Sequence, residues 1–238
     1  KYLRPFRMGR EVVHGLDRWC LWMDTEDFDP RDIERSPLLK ERVQACQAWR
    51  EKQSRTGDAW KLRNVPYLMR RPLAPYVGIP SVVSESRRFY TVAHLSEHVI
   101  AGNQLYTALD PDSFLFAIIS SSMFVTWQRA VGGHMKSDLR FSNKIVWNTL
   151  PLPEVSDKQR AAIIAAGQGV LDARAEQPGV SLADMYNPLA MAPSLLKAHR
   201  ALDRVVDRAF GARKALETNE ERLAILFKRY QEMAATES

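Results

Sequence analysis

The stretch "GGHMKSDLRFSNKIVW", Gly132 to Trp147, decides how the chain is read. At alternate positions His134, Lys136, Asp138, Arg140, Ser142 and Lys144 are all polar. Met135, Leu139, Phe141, Ile145 and Trp147 fall in the other set, which only Ser137 and Asn143 interrupt. A period of two places successive side chains on opposite faces of a strand. The spacing predicts one extended strand whose wet face carries two lysines, an arginine and an aspartate. Such a face is either a solvated surface or a reader of a polyanion.

Upstream of this strand, Asp110-Pro111-Asp112 starts a predicted helix through "FLFAIISSSMFVTWQRAV" to a C-cap at Gly132-Gly133. From Tyr76 the texture is rich in Val, Ile and Tyr, with Gly, Pro, Ser and Asn between, and predicts several strands. "EVVHGLDRWCLWMD" reads as a hairpin turning at Gly15-Leu16-Asp17. A helix is expected from Asp32 to about Gln53, and a short one within residues 58–72, ending before Pro72. Downstream, "NTLPLPEVS" (148–156) marks a boundary, and apolar residues recur at three and four spacing over 157–176, 193–210 and 217–234. The expected fold class is α+β: a mixed strand and helix domain over residues 1–150, followed by an all-helical segment over 151–238.

Charge separates the same two parts. Residues 1–150 hold 22 Lys+Arg against 16 Asp+Glu, a net of +6, whereas residues 151–238 hold 12 of each. The span from Lys52 to Arg88 carries eight basic residues and only Asp58 and Glu85 as acids. A localised basic excess is the footprint expected for a polyanion partner. No apolar run approaches the roughly 20 residues that span a membrane, so no membrane partner is expected. The opening "KYLRP" has no initiator Met and no signal-peptide pattern, and the chain reads as a piece cut from a longer polypeptide. Cys20 and Cys46 are the only cysteines and lack zinc-ligand spacing, which points to a reducing, cytoplasmic setting.

Several motifs bear on chemistry. "HLSEH", His94 to His98, matches the pattern of inverted zinc peptidases, but its flanks read as strands, where the histidines lie too far apart to share a metal. It is expected to be a polar connection, with no metal bound. "YNPL" (186–189) lacks the second proline and the aromatic of an amino-methyltransferase site, and reads as Asn before Pro at a helix start. No Gly-rich turn for a nucleotide or S-adenosylmethionine follows a strand, so no catalytic residue and no cofactor are expected within the chain. In "SESRRFY", Arg87 and Arg88 stand beside aromatics at a predicted strand edge, suited to phosphate or to a surface pair with Glu85. "LLKAHRALDRVVDRAFG" predicts an amphipathic helix with Leu196, His199, Leu202, Val206 and Phe210 inward and Asp203, Arg204, Asp207 and Arg208 in local ion pairs. His199 is expected to be a hydrogen-bonded interior residue.

Together these pieces resemble the C-terminal part of MmeI-like DNA methyltransferases, large restriction–modification or methyltransferase polypeptides. The pattern M-x-x-x-W-x-R…G-x-x-K-S-D-x-R-[YF]-S…V-[YW]-N-[TN]-x-P-x-P is met by Met123, Trp127, Arg129, Lys136, Ser137, Asp138, Arg140, Phe141, Ser142, Val146, Trp147, Asn148, Thr149, Pro151 and Pro153. "SESRRFY" and the Ala-His-x-x-Leu-Asp helix are similar to further family segments, while residues 1–75 match more loosely. The resemblance implies a DNA target-recognition domain plus a C-terminal helical segment. S-adenosylmethionine and adenine-N6 methylation then belong to a catalytic domain elsewhere in the same polypeptide, which would be a second partner beside double-stranded DNA; a nuclease accompanies it in some members. Lys136 and Asp138 are the expected base readers. Arg87, Arg88, Arg140 and Lys144 are the expected phosphate contacts. The alternative reading is a protein–protein adaptor that uses the basic surface on an acidic partner.

Overall fold

The computed structural model describes residues 1–23, 25–64 and 72–236. Its elements run β1 (Leu3–Arg7), α1 (Gly9–His14), β2 (Trp19–Leu21), α2 (Arg31–Arg35), α3 (Pro37–Glu51), α4 (Asp58–Lys61), β3 (Tyr76–Pro80), β4 (Val82–Val83), β5 (Ala93–Leu95), β6 (Ile100–Ala101) and β7 (Leu105–Leu109). Then come α5 (Phe114–Ser120), α6 (Ser122–Val131), β8 (Gly133–Met135), β9 (Asp138–Arg140), a π-helical turn (Asn143–Trp147), α7 (Asp157–Ala175), α8 (Leu182–Met185), α9 (Pro193–Ala209) and α10 (Asn219–Thr236). The strands form three sheets ordered β2-β1-β6, β5-β3-β7 and β4-β9-β8. This is the expected mixed α+β region followed by helices.

Local chemistry redraws several expected boundaries. The segment before Gly15 is helical rather than extended: Gly15, at φ 63, closes α1 as a left-handed cap, and β2 pairs antiparallel with β1 instead of with its own upstream neighbour. The helix expected from Asp32 to Gln53 is two, because Ser36 caps a fresh start at Pro37 by accepting from the Leu39 N–H. The helix expected from Asp110 to Val131 is also two, bent by 63°. Ser121 caps α6 through the Phe124 N–H, and the Asp110 carboxylate caps α5 by accepting from Leu115 and Phe116, each at 2.9 Å. The short helix expected over 58–72 is confined to α4, and residues 65–71 lie outside the described residues.

Helices α5 and α6 explain why the two parts of the chain share one core. Every α6 residue from Ser122 to Gln128 is buried, so this helix is enclosed on all sides. Val77, Ile79 and Val92 from the strand region, Phe116, Ile119, Met123 and Phe124 from α5 and α6, and Ile163, Val170, Leu202 and Leu226 from the later helices belong to a single apolar cluster. The approach of α7 to α5 is set by Gly167, where a Cβ would stand 2.6 Å from the Ala117 Cβ. Among the described residues no single helix is long and apolar enough to cross a membrane.

Buried polar groups bolt this seam. Arg174 on α7 donates to the Val92 carbonyl (2.8 Å) and, through Nε and Nη2, to the Tyr186 hydroxyl oxygen (2.9 and 2.7 Å). With its oxygen accepting twice, Tyr186 donates its own proton to His199 Nε2, 2.6 Å away. The His199 ring lies stacked on Phe89, with centroids 3.9 Å apart, as an interior hydrogen-bonded histidine. Burial, with Arg174 beside it, holds its pKa well below the ordinary 6.5, so the folded chain keeps it neutral.

The unfolded chain protonates His199 below about pH 6.5 and the folded chain does not. This group's contribution to stability is therefore present above that pH and is lost as pH falls. Burial acts with the opposite sign on Asp207, pushed up to about 6, and on Asp203, both of which take up protons earlier when folded. The histidine is isolated by comparison with His199→Gln. Between pH 6.5 and 5, wild type is expected to lose stability relative to this variant by about 1.4 kcal/mol per pH unit, read from urea midpoints. Parallel profiles would show that His199 takes up its proton in the folded chain.

Candidate nucleic-acid interface

The sequence predicts a single strand from Gly132 to Trp147, and the structure folds it into a hairpin. Strands β8 and β9 pair with Gly133 opposite Arg140, His134 opposite Leu139 and Met135 opposite Asp138, leaving Lys136-Ser137 as a two-residue loop. Residues directly opposite one another share a face, so the loop reverses the parity read from the sequence. Asp138 and Arg140 lie on the face of Met135, and His134 lies on that of Leu139, which is buried. Extended structure ends at Arg140, and residues 143–147 form the π-helical turn, which buries Val146 and leaves Ile145 55% exposed. The proposed same-strand alternation of Lys136 and Asp138 is thus corrected: both sit at the hairpin tip, one in the loop and one opening β9.

Lys136 is one of two non-glycine residues with positive φ among the described residues, at 57°. Its neighbour Ser137 is not positive, which gives the sign pattern of a type II′ turn, where glycine is the favoured first residue. Holding a side chain there costs on the order of 1 kcal/mol. A lysine kept at a strained and fully exposed position points to use of its ammonium group. Asp138 is half-buried, and one of its carboxylate oxygens accepts from the Glu85 N–H at 3.4 Å, leaving the other oxygen free.

Three consecutive residues at the end of α6 hold the surroundings of this tip. Trp127 Nε1 donates to the Val146 carbonyl at 3.1 Å. Gln128 Nε2 donates to the Arg140 carbonyl at 3.0 Å, and Arg129 donates to the Glu85 and Arg87 carbonyls at 3.1 and 2.8 Å. Gly132 is needed where the chain leaves α6, since a Cβ would come within 2.0 Å of Gln128 Nε2. Strand β9 also pairs with β4, Val83 opposite Leu139, and the Phe141 N–H donates to the Ser81 carbonyl. The tip is exposed while its base is fixed at every backbone position.

The expected phosphate contacts divide. Arg140 and Lys144 are exposed and, like Lys136, have no ion-pair partner among the described residues. Arg88 is exposed beside the Phe89 ring. Arg87 instead turns inward, donating to the Leu182 carbonyl at 3.2 Å, and burial draws its pKa down. The segment carrying both is a loop rather than a strand edge, and neither arginine pairs with Glu85. Gln128 was not foreseen as a contributor, because a side chain serving a backbone carbonyl has no charge or spacing signature. "HLSEH" opens inside β5, where His94 pairs opposite Val77, and only its last three residues belong to the connection to β6; His94 Nε2 lies 2.7 Å from the Asp110 carbonyl, and no metal-binding group of side chains occurs among the described residues. "YNPL" forms a turn with Asn187 accepting from the Leu189 N–H, short of the start of α9.

Comparison with known proteins gives two consecutive family matches: "MmeI, target recognition domain" over residues 1–154 and "MmeI, C-terminal domain" over residues 155–237. DNA methyltransferase A of Bacillus subtilis (strain 168) is 35% identical over 238 residues, covering 98% of this chain and 26% of that protein. A solved structure of the type IIL restriction-modification enzyme MmeI in complex with DNA superposes with a TM-score of 0.87 at 34% identity, covering 98% of this chain and 31% of that one. The chain therefore spans under a third of the length of the proteins it matches.

Proposed function

From the premise that this chain belongs to the MmeI family, as its target-recognition and C-terminal domains, we propose that it selects the DNA sequence on which a larger S-adenosylmethionine-dependent adenine-N6 methyltransferase acts. The carrying observation is the hairpin tip, where a strained, exposed lysine and a backbone-oriented aspartate stand two residues apart. A two-stranded ribbon fits the major groove. There Lys136 donates to guanine O6 and N7, and Asp138 accepts from cytosine N4, so that one G·C pair is read from both halves. Arg140, Lys144 and Arg88 contact phosphates and set the register without reading sequence. Arg87 supports the loop behind Asp138 rather than the DNA.

Methyl transfer belongs, in this reading, to a catalytic domain outside these residues, which is also the chain's intramolecular partner in the cytoplasm. Selection from randomised duplexes tests the proposal. The chain is expected to enrich a defined sequence containing a fixed G·C pair. Its affinity for that duplex should fall with salt at a log–log slope of about −4 to −5, as for roughly five neutralised phosphates. Salt-indifferent binding with no enriched sequence would favour the adaptor reading.

A further inference from the structure

Helix α9 carries Asp203 and Asp207 next to arginines, yet neither aspartate pairs with its neighbour. Both are buried: Asp203 accepts from the Ser122 N–H and hydroxyl, each at 2.7 Å, and Asp207 is held by Arg222 at 2.8 and 3.1 Å. The outer face of α9 is left to Lys197, Arg200, Arg204 and Arg208, none of which has an ion-pair or hydrogen-bond partner among the described residues. At about 100° per residue these four fall within roughly 80° of the helix circumference, along about 16 Å of its length. Like charges four residues apart repel, so nothing within the fold accounts for the ridge.

The ridge borders a cavity of about 620 Å³ at the seam between the strand region and the later helices. Arg88, Arg129, Arg200, Arg204 and Arg222 line it. Arg129 is occupied by the Glu85 and Arg87 carbonyls and Arg222 by Asp207, whereas Arg88, Arg200 and Arg204 have no carboxylate within 4.0 Å among the described residues, although the buried Asp203 lies in the same cavity. Glu217 and Glu220 line the α10 side, and no cation lies within 4.0 Å of either. The uncompensated positive edge is therefore the one formed by α9 and Arg88.

We infer that the α9 ridge, beyond the phosphate contact already assigned to Arg88, is a second DNA-backbone contact that grips phosphates outside the base pairs read by the hairpin. The inference rests on the DNA-recognition reading above. What ties the ridge to DNA rather than to an acidic protein is its connection to the tip: Arg88 belongs to the loop whose Glu85 N–H orients Asp138, and Arg129 in the same cavity clamps that loop. The reading tip and the ridge are linked through that loop.

The test uses Arg200→Gln with Arg204→Gln, two exposed positions that leave both buried aspartates in place. Salt dependence is measured on the selected duplex with long flanks and on the same duplex trimmed to the enriched base pairs. On the long duplex the variant's log–log slope should be shallower by about 2, since each lost phosphate contributes about 0.9. On the trimmed duplex wild type and variant should coincide, and the enriched sequence should be the same for both. An unchanged slope on the long duplex, or an altered base preference, would overturn the inference while leaving the DNA-recognition reading intact. A wild-type chain that binds no duplex would overturn both.

Discussion

Exchanging the character of the hairpin pair, Lys136→Glu with Asp138→Arg, is expected to change the selected base at one position of the enriched duplex and to keep the others. Glutamate offers acceptors where lysine offered donors, and arginine offers a fork of donors where aspartate accepted. The preferred orientation of the pair should therefore invert from G·C to C·G. Each good base contact supplies about 1–3 kcal/mol of discrimination, so exchanging both, about 2–6 kcal/mol together, should move preference by roughly 30- to 25,000-fold. The fold should tolerate the change: Lys136 is exposed, Asp138 gives up one long hydrogen bond from the Glu85 N–H, and the base of the tip is held by Gln128, Arg129 and the pairing with β4. Replacing Lys136 by glycine separates use from strain. It relieves the left-handed backbone and should raise stability slightly while removing the guanine preference. An unchanged enriched sequence in the double variant would sink the assignment.

Tyr186→Phe is expected to cost about 3–5 kcal/mol, read as a lower denaturant midpoint at unchanged m-value. The hydroxyl serves three hydrogen bonds at once, two accepted from Arg174 and one donated to His199. Its removal strands two guanidinium N–H groups and an imidazole nitrogen in a buried site, and unpaired buried groups of this kind cost more than the bonds contributed. Burial keeps the phenol protonated, so the loss is the same across neutral pH. A cost below about 1 kcal/mol would mean that water replaces the hydroxyl. The Arg174 bond to the Val92 carbonyl crosses the seam, so duplex affinity of the surviving folded fraction measures how far the recognition region depends on the later helices.

The long helices were legible because their apolar spacing is regular and their ends carry Ser, Gly or Pro. The breaks at Ser36 and Ser121 were not, because apolar spacing runs through both and only a serine hydroxyl turned to a backbone N–H ends one helix and begins another. At the hairpin, charge and resemblance selected Lys136 and Asp138, but alternation is blind to a two-residue loop that reverses parity. The inward turn of Arg87 was not legible because its partner, Leu182, lies 95 residues away. The α9 ion pairs were misread because Asp203 and Asp207 turn inward to Ser122 and Arg222, partners on other helices that spacing along α9 does not reveal, although Arg204 stands three residues before Asp207.

The shared core has a consequence for synthesis on the ribosome. Helices α5 and α6 are complete by Val131, but α7, α9 and α10, which cover them, end only at Thr236. At about 5–20 residues per second, roughly 5–20 s pass between the emergence of that apolar pair and the arrival of its last cover. During that interval the nascent chain leaves uncovered the apolar side chains of α5 and α6, among them Phe116, Ile119, Met123 and Phe124, the kind of surface that holdase chaperones capture, and the shared core is completed only when the following segment arrives.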